Sequence, residues 1–175
     1  MARFHERMLR AAWLDADVYE EVEADRGATG QAMIVVVLSA VAFGIGGIAY
    51  GGIAGIFWTT AAGLLGWYLW AYVTYFIGTR WLKGQQTVAD HGELLRTIGF
   101  SSAPGILRVF MLYPPIEGWV FGISGVWMLV AMVVAVRQAL DYPGTGRAVA
   151  VCAIGFPVYV ALLMLTVVAI GPWPV

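Results

Sequence analysis

The chain has 175 residues, 61% of them hydrophobic before its 22 glycines are counted, and only 12% charged. Soluble domains run to about 45–50% apolar with glycine included and about 25% charged, so a soluble globular domain is excluded. A formal net charge of −1 with no Lys/Arg-rich stripe argues against nucleic acid as a partner, and a single cysteine, Cys152, leaves no internal disulfide, cysteine zinc site or iron–sulfur cluster to build.

Residues 1–30 read as an amphipathic N-terminal segment of two short helices rather than a cleavable apolar leader. Phe4, Met8, Leu9, Ala12 and Trp13 form one apolar stripe, and Asp15 is placed to cap a second helix that carries Val18, Tyr19 and Val22 and stops at Gly27. The expected role is a helix pair resting at the membrane surface. The alternative is a docking site for a soluble partner built on Asp15, Asp17, Tyr19 and Glu20.

No Asp, Glu, Lys or Arg occurs among the 53 residues between Arg26 and Arg80, which is room for two membrane spans at about 20 residues each. We place them at about 31–50 and 53–79, turning at Gly51-Gly52, with Trp67, Trp70, Tyr72, Tyr75 and Trp81 as an aromatic belt. A third span over about 90–113 has only 11 uncharged residues between Arg96 and Arg108, and Arg108 reaches for headgroups from within it. Spans over about 117–137 and 147–171 follow, separated by Pro114-Pro115 and Pro143-Gly144. With five crossings, nine of the ten Lys and Arg fall on one side and only Arg108 on the other, which favours five spans with a cytoplasmic N-terminus. The predicted fold is therefore an all-α polytopic transmembrane bundle over 31–175, with four spans plus a re-entrant segment as second choice.

Chemistry-bearing residues are few. Arg108 is the one ionisable group deep in a span, and Glu117 follows it across a turn, so the two are expected to pair as a structural pin, with a substrate or ion site as the alternative. His5 and His91 lie outside the spans' interiors, so haem held between helices has no axial ligands. Asp90-His91-Gly92-Glu93 reads as helix capping, and Ser39, Ser101, Ser102 and Ser124 belong to no hydrolase motif. No catalytic set, cofactor site or metal site is legible, and the chain is read as non-enzymatic.

Two prolines predict shape. Pro104 offers no donor to the Phe100 carbonyl, so span three is expected to kink there, with the Ser101 and Ser102 hydroxyls satisfying the opened backbone; Pro157 is expected to do the same to span five. Gly47, Gly51 and Gly55, and again Gly118 and Gly122, recur at four-residue spacing, a pattern of close packing within the bundle or of self-association.

At GELLRTIGFSSAPGILRVF the sequence resembles bacterial members of the Yip family, named for Ypt/Rab-interacting proteins. The resemblance takes in DADVYEEVEAD, the aromatic second span and the joint VRQALDYPGTGRAVAV, and its nearest hallmark is Phe100-Ser101-Ser102-Ala103-Pro104. It implies a five-span integral membrane protein with a cytoplasmic N-terminus, here in a bacterial inner membrane. Eukaryotic relatives are associated with Rab GTPases, vesicle traffic and membrane shaping through a longer N-terminal region, which here is residues 1–30. The expected function is a non-enzymatic membrane scaffold whose partners are membrane lipids and a membrane or peripheral protein, self included. Alternatives are passage of lipid or small solutes along a groove at spans three and five, or service as an accessory subunit of a larger membrane complex.

Overall fold

The computed structural model describes residues 3–170, and the side chains of these apart from 163 and 166–170. Every regular element among the described residues is helical. Helices α1 (Phe4–Ala12) and α2 (Ala16–Ala24) precede α3 (Ala28–Gly46) and α4 (Ile48–Phe76), which widens into a π turn over Ile77–Trp81. Helix α5 (His91–Ser101) passes directly into a 3-10 helix over Ala103–Leu112; α6 (Glu117–Ala139) and α7 (Thr145–Ile170) complete the chain. The expected end of span five at 171 lies outside the described residues.

Four helices are long and apolar enough to cross a membrane: Ala28–Gly46, Ile48–Trp81, Pro114–Ala139 and Thr145–Leu162. The third expected span is the broken one. Asp90 and Glu93 start it with a reciprocal capping box, the Asp90 carboxylate accepting from Glu93 N at 2.8 Å and Glu93 accepting from Asp90 N at 2.7 Å. After Ser101 the winding tightens, and Gly105 N donates to the Ser102 carbonyl at 2.9 Å as the 3-10 helix begins. Pro104 forces the change because it has no N–H for the Phe100 carbonyl. The Ser101 hydroxyl donates at 2.7 Å to the Ile98 carbonyl, two residues before the expected Phe100. Eleven α residues and ten 3-10 residues together extend about 36 Å, enough to traverse a hydrocarbon core of about 30 Å.

Contacts at glycines fix the directions. A Cβ on Gly99 would meet Ala32, one on Gly105 would meet Ser39, and one on Gly46 would meet the Arg108 carbonyl, so the broken element runs parallel to α3 along its length. Helix α4 returns antiparallel to α3, with Gly63 against Ala40 and Gly44 against Ile56. Helix α7 is antiparallel to α4, with Tyr159 at Gly66 and Gly155 near Val73 and Ile77. Helix α6 runs back from Ser124, beside Arg108, to Gln138, beside Glu20.

Two sequence expectations are corrected. The turn between the first two long helices starts at Gly47 rather than Gly51: α3 ends at Gly46, and Gly52, at φ +58° and ψ −162°, interrupts the helical path that resumes at Ile48. Only the Gly52 conformation favours glycine; Gly47, at φ −92°, holds a backbone conformation open to any residue. Trp67 and Trp70 leave the expected aromatic belt and pack inward, donating to the Leu95 carbonyl at 2.9 Å and the Met132 sulfur at 3.0 Å, while Tyr72 and Trp81 stay exposed. Helix α7 includes Pro157 within its length as a single helical element.

The N-terminal pair is part of the core rather than laid upon it. Ala11, Val18, Tyr19 and Val22 are fully buried with Ala28, Ala32, Val35, Phe100, Ala103 and Ala135. A second cluster joins α4, α5, α6 and α7 through Trp70, Ile77, Leu94, Ile98, Val136, Leu140 and Val151. Ile53, Phe57, Trp119, Ile123 and Val126 are exposed apolar side chains on the long helices, as expected of a surface that faces lipid.

Candidate functional site

Arg108 lies within the 3-10 part of the broken element and is partly buried. Three residues per turn in the 3-10 helix align Gly105, Arg108 and Met111 on one ridge. Gly105 and Met111 press that ridge against α3, and the Arg108 side chain turns towards α6. Its Nε donates to the Ser124 hydroxyl at 3.2 Å, and the guanidinium carbon lies 5.2 and 5.4 Å from the ring centres of Phe43 and Phe121. Ser124 is seven residues into α6 from Glu117, about 10 Å along the axis. The expected pair with Glu117 is not made: Glu117 accepts instead from the Tyr50 hydroxyl at 3.0 Å, close to the turn between α3 and α4.

Placing an arginine at the centre of a membrane helix costs about 2.5–3.5 kcal/mol on insertion scales. Two cation–π contacts of about 0.5–2 kcal/mol each and one hydrogen bond to a neutral hydroxyl offset part of that, without neutralising the charge. Beside the guanidinium lies a cavity of about 460 Å³ walled by α3, α4, α5, α6 and α7. Its polar lining comes from Ser39, Thr59, Ser102 and Tyr159, and its apolar lining includes Trp67 and Met128. Ser102 from the Phe100-to-Pro104 break thus contributes to the cavity wall, while Phe100 is buried in the N-terminal core cluster.

The glycine expectation divides. Around Gly51, Gly55, Gly118 and Gly122 nothing lies within 4 Å of a would-be Cβ, and Gly47 meets only the Phe43 carbonyl at 3.5 Å. Close packing inside the bundle falls instead to Gly44, Gly46, Gly63, Gly66, Gly99 and Gly105. Their spacing carries no four-residue motif, which is why the sequence pattern passed over them.

At the opposite end, the acidic residues expected to dock a partner are mostly used within the protein. Asp15 accepts from Asp17 N at 3.0 Å and from Arg10 at 2.7 Å, and the Arg10 guanidinium holds its carboxyl below the usual carboxylate range. Tyr19 is fully buried with its hydroxyl donated to the Ala11 carbonyl at 3.0 Å, and Glu20 accepts from Gln138 at 2.8 Å. Asp17 is exposed.

Two arginines that sequence reading treated only as topology markers hold this end together. Arg7, 3% exposed, bonds Glu21 at 2.9 Å, Asp25 at 2.8 Å and Gln31 at 3.2 Å. Arg96, 5% exposed, caps the C-terminus of α2 by donating to the Val22 and Glu23 carbonyls, each at 3.0 Å from Nε. Burial raises the Glu23 carboxyl to about 7, helped by Glu93, Asp141 and Glu20 and opposed by Arg96. The signal available in the sequence was Arg96 itself, a charge set in the otherwise apolar LLRTIGF.

His91 is ringed by Tyr68, Tyr72 and Tyr75 at 5.1, 5.8 and 6.1 Å, with neither ring nitrogen hydrogen-bonded. Among the described residues no three His, Cys, Asp or Glu stand close enough to hold a metal ion. In comparison with known proteins, the family description that the sequence matches is the Yip1 domain, over residues 15–168. No curated protein and no solved structure matches the chain.

Proposed function

Because the chain belongs to the Yip1-domain family and is an integral membrane protein by that membership and by its apolar helices, we propose that it is a non-enzymatic membrane scaffold that organises lipids and partner proteins at the cytoplasmic leaflet. The bundle crosses five times with its N-terminus in the cytoplasm. Support comes from the alternating direction of the five long elements and from Arg26, Arg80, Lys83, Arg137 and Arg147 meeting at one end, with Arg108 near the other.

The observation that carries the scaffold reading is the seating of the α1–α2 pair. Trp127 Nε1 donates to the Ala12 carbonyl at 2.7 Å, and Trp13 packs on Trp127 with ring centres 6.1 Å apart. Trp127 lies twelve residues from the cytoplasmic end of α6, about 18 Å along the axis. The tip of the pair therefore reaches into the leaflet, with Leu9 and Trp13, 55% and 75% exposed, directed outward from the protein. Its charges are matched internally, Arg7 with Glu21 and Asp25 and Arg10 with Asp15, which lowers the cost of that depth. A helix pair wedged into one leaflet adds area to that leaflet and imposes curvature or lipid order around the bundle.

Two experiments test the reading. For the crossings, Pro115→Cys and Gly144→Cys are made in a Cys152→Ala background and exposed to a membrane-impermeant maleimide in intact cells. Labelling at 115 alone is expected, and labelling at 144 alone returns the four-span arrangement. For the scaffold, protein reconstituted into vesicles is expected to narrow their diameter, and Leu9→Ser with Trp13→Ser to abolish the effect. A protein that leaves vesicle shape unchanged and purifies alone in mild detergent overturns it.

The cavity beside Arg108 favours a second reading, passage of lipid or small solute through the bundle. Vesicles loaded with labelled lipid or solute are expected to show flux that Arg108→Ala lowers; equal flux with and without protein removes this reading.

A further inference from the structure

We propose that the cavity at Arg108 is a binding site for an amphiphile with an anionic head, its carboxylate or phosphate on the guanidinium and its hydrocarbon chain among the five membrane elements. The inference goes beyond the scaffold reading and stands whether or not the chain transports anything.

The site has the two parts such a ligand requires. At one end is a cation about 10 Å below the outer boundary, with five N–H donors of which only Nε is used on a side-chain acceptor, the Ser124 hydroxyl at 3.2 Å. Glu117, the acid that follows it in the chain, is taken by Tyr50, and among the described residues Arg108 is in no ion pair. The aromatic faces of Phe43 and Phe121 flank the guanidinium and restrict its motion without occupying its N–H edge. The Nη1 and Nη2 groups present the paired donors that a carboxylate or phosphate matches with two parallel hydrogen bonds.

The other part is the chamber. Its volume of about 460 Å³ lies within the range of small-molecule sites, and most of its wall is apolar. The hydroxyls of Ser39, Thr59 and Tyr159 add the few polar contacts that orient a head or its linkage. Thr59 already donates to the Ile56 carbonyl at 3.1 Å, so its hydroxyl oxygen offers an acceptor rather than a donor. Gly125 contributes empty wall: nothing lies within 4 Å of a Cβ placed there, so the chamber can be filled by substitution without disturbing α6. An amphiphile reaches this site from the leaflet itself, because Arg108 lies at bilayer depth, where a soluble anion pays the full cost of leaving water.

Full-length protein in mild detergent is titrated with radiolabelled oleate and, separately, with oleyl alcohol, which has the same chain without the charge. Saturable oleate binding is expected, with oleyl alcohol at least about tenfold weaker, the size of one lost charge-assisted hydrogen bond. Arg108→Gln is expected to weaken oleate by a similar factor, and Arg108→Lys by less. Gly125→Leu, which keeps the guanidinium and fills the chamber, is expected to weaken both oleate and its competitors. Competition by vesicles of phosphatidylglycerol, but not phosphatidylcholine, assigns the anionic head to a membrane phospholipid; no competition by either assigns it to a free fatty acid. Equal binding of oleate and oleyl alcohol overturns the proposal, as does undiminished oleate binding in both Arg108→Gln and Gly125→Leu. Absence of saturable binding of oleate and phosphatidylglycerol alike overturns it too.

Discussion

Arg96 shows how much a single side chain contributes to this architecture. Its guanidinium reaches from α5 to the last carbonyls of α2, where the helix dipole is negative and the Val22 and Glu23 oxygens lack helical donors. Arg96→Met preserves apolar bulk and leaves those oxygens without their donor, at a cost of about 1–3 kcal/mol, whereas Arg96→Lys retains part of the cap. Hydrogen exchange across residues 16–24 is expected to accelerate strongly in the first variant and modestly in the second; equal protection in both would remove the capping role. Glu23 is next to this cap, and its protonation has a definite sign. With the folded carboxyl raised to about 7 from an ordinary value of 4.5, the folded state holds more protons than the unfolded state between those values. Stability from this residue therefore falls as pH rises from 4.5 to 7 and stays lowered above 7. The melting temperature of the wild type minus that of Glu23→Gln is expected to decline over that interval and flatten above it, with the subtraction removing the opposing contributions of Asp15 and Asp25, whose carboxyls their arginine partners hold low. A flat difference would show that the Glu23 carboxyl ionises as it does in water.

At the level of elements, glycines separate the contacts that hold helices together from the surfaces left to lipid. A methyl group on Gly105 would strike the Ser39 hydroxyl and the Met128 sulfur, and one on Gly46 would strike the Arg108 backbone. Gly105→Ala and Gly46→Ala are expected to lose about 1–3 kcal/mol through overpacking. Gly118→Ala and Gly122→Ala, facing open space on α6, are expected to be neutral or to gain up to about 1 kcal/mol of helix propensity. Thermal unfolding in detergent ranks all four, and destabilisation at 118 and 122 equal to that at 105 would point to a contact made by another molecule. The same positions explain what could be read from the sequence. Four long apolar helices, the capping box at Asp90 and the interruption at Pro104 were legible because composition, spacing and a missing N–H act locally. The identity of the packing glycines was not, because whether Gly105 or Gly118 meets another helix depends on how far the 3-10 winding rotates its neighbours. For the same reason Glu117 follows Arg108 closely in sequence yet is taken by Tyr50, from a different turn.

Across the whole molecule, the two core clusters suggest an order of unfolding. One ties α4, α5, α6 and α7 together; the other ties α1 and α2 to α3, Phe100 and Ala135. Amphipathic spacing located the N-terminal pair at the interface, but its burial depends on Arg96, Trp127 and Gln138, from parts of the chain 73 to 118 residues away, and long-range contacts of that kind leave no local pattern. Arg7 is internal to the pair and its entry into α3, since all its side-chain partners lie between Glu21 and Gln31. Arg7→Met strands Asp25 without its cation and removes one of the two arginines on Glu21, a loss of about 3–5 kcal/mol for a broken buried pair. Exchange protection is expected to fall across residues 4–24 while α4 and α7 keep theirs, because their shared cluster contains no residue of the pair. Vesicle narrowing by the same variant should be lost in parallel, since a loosened pair no longer holds Trp13 against Trp127 at depth. Simultaneous loss of protection in α4 and α7 would instead make the wedge and the bundle one cooperative unit, and the α1–α2 pair a structural part of the bundle's fold rather than a separable surface.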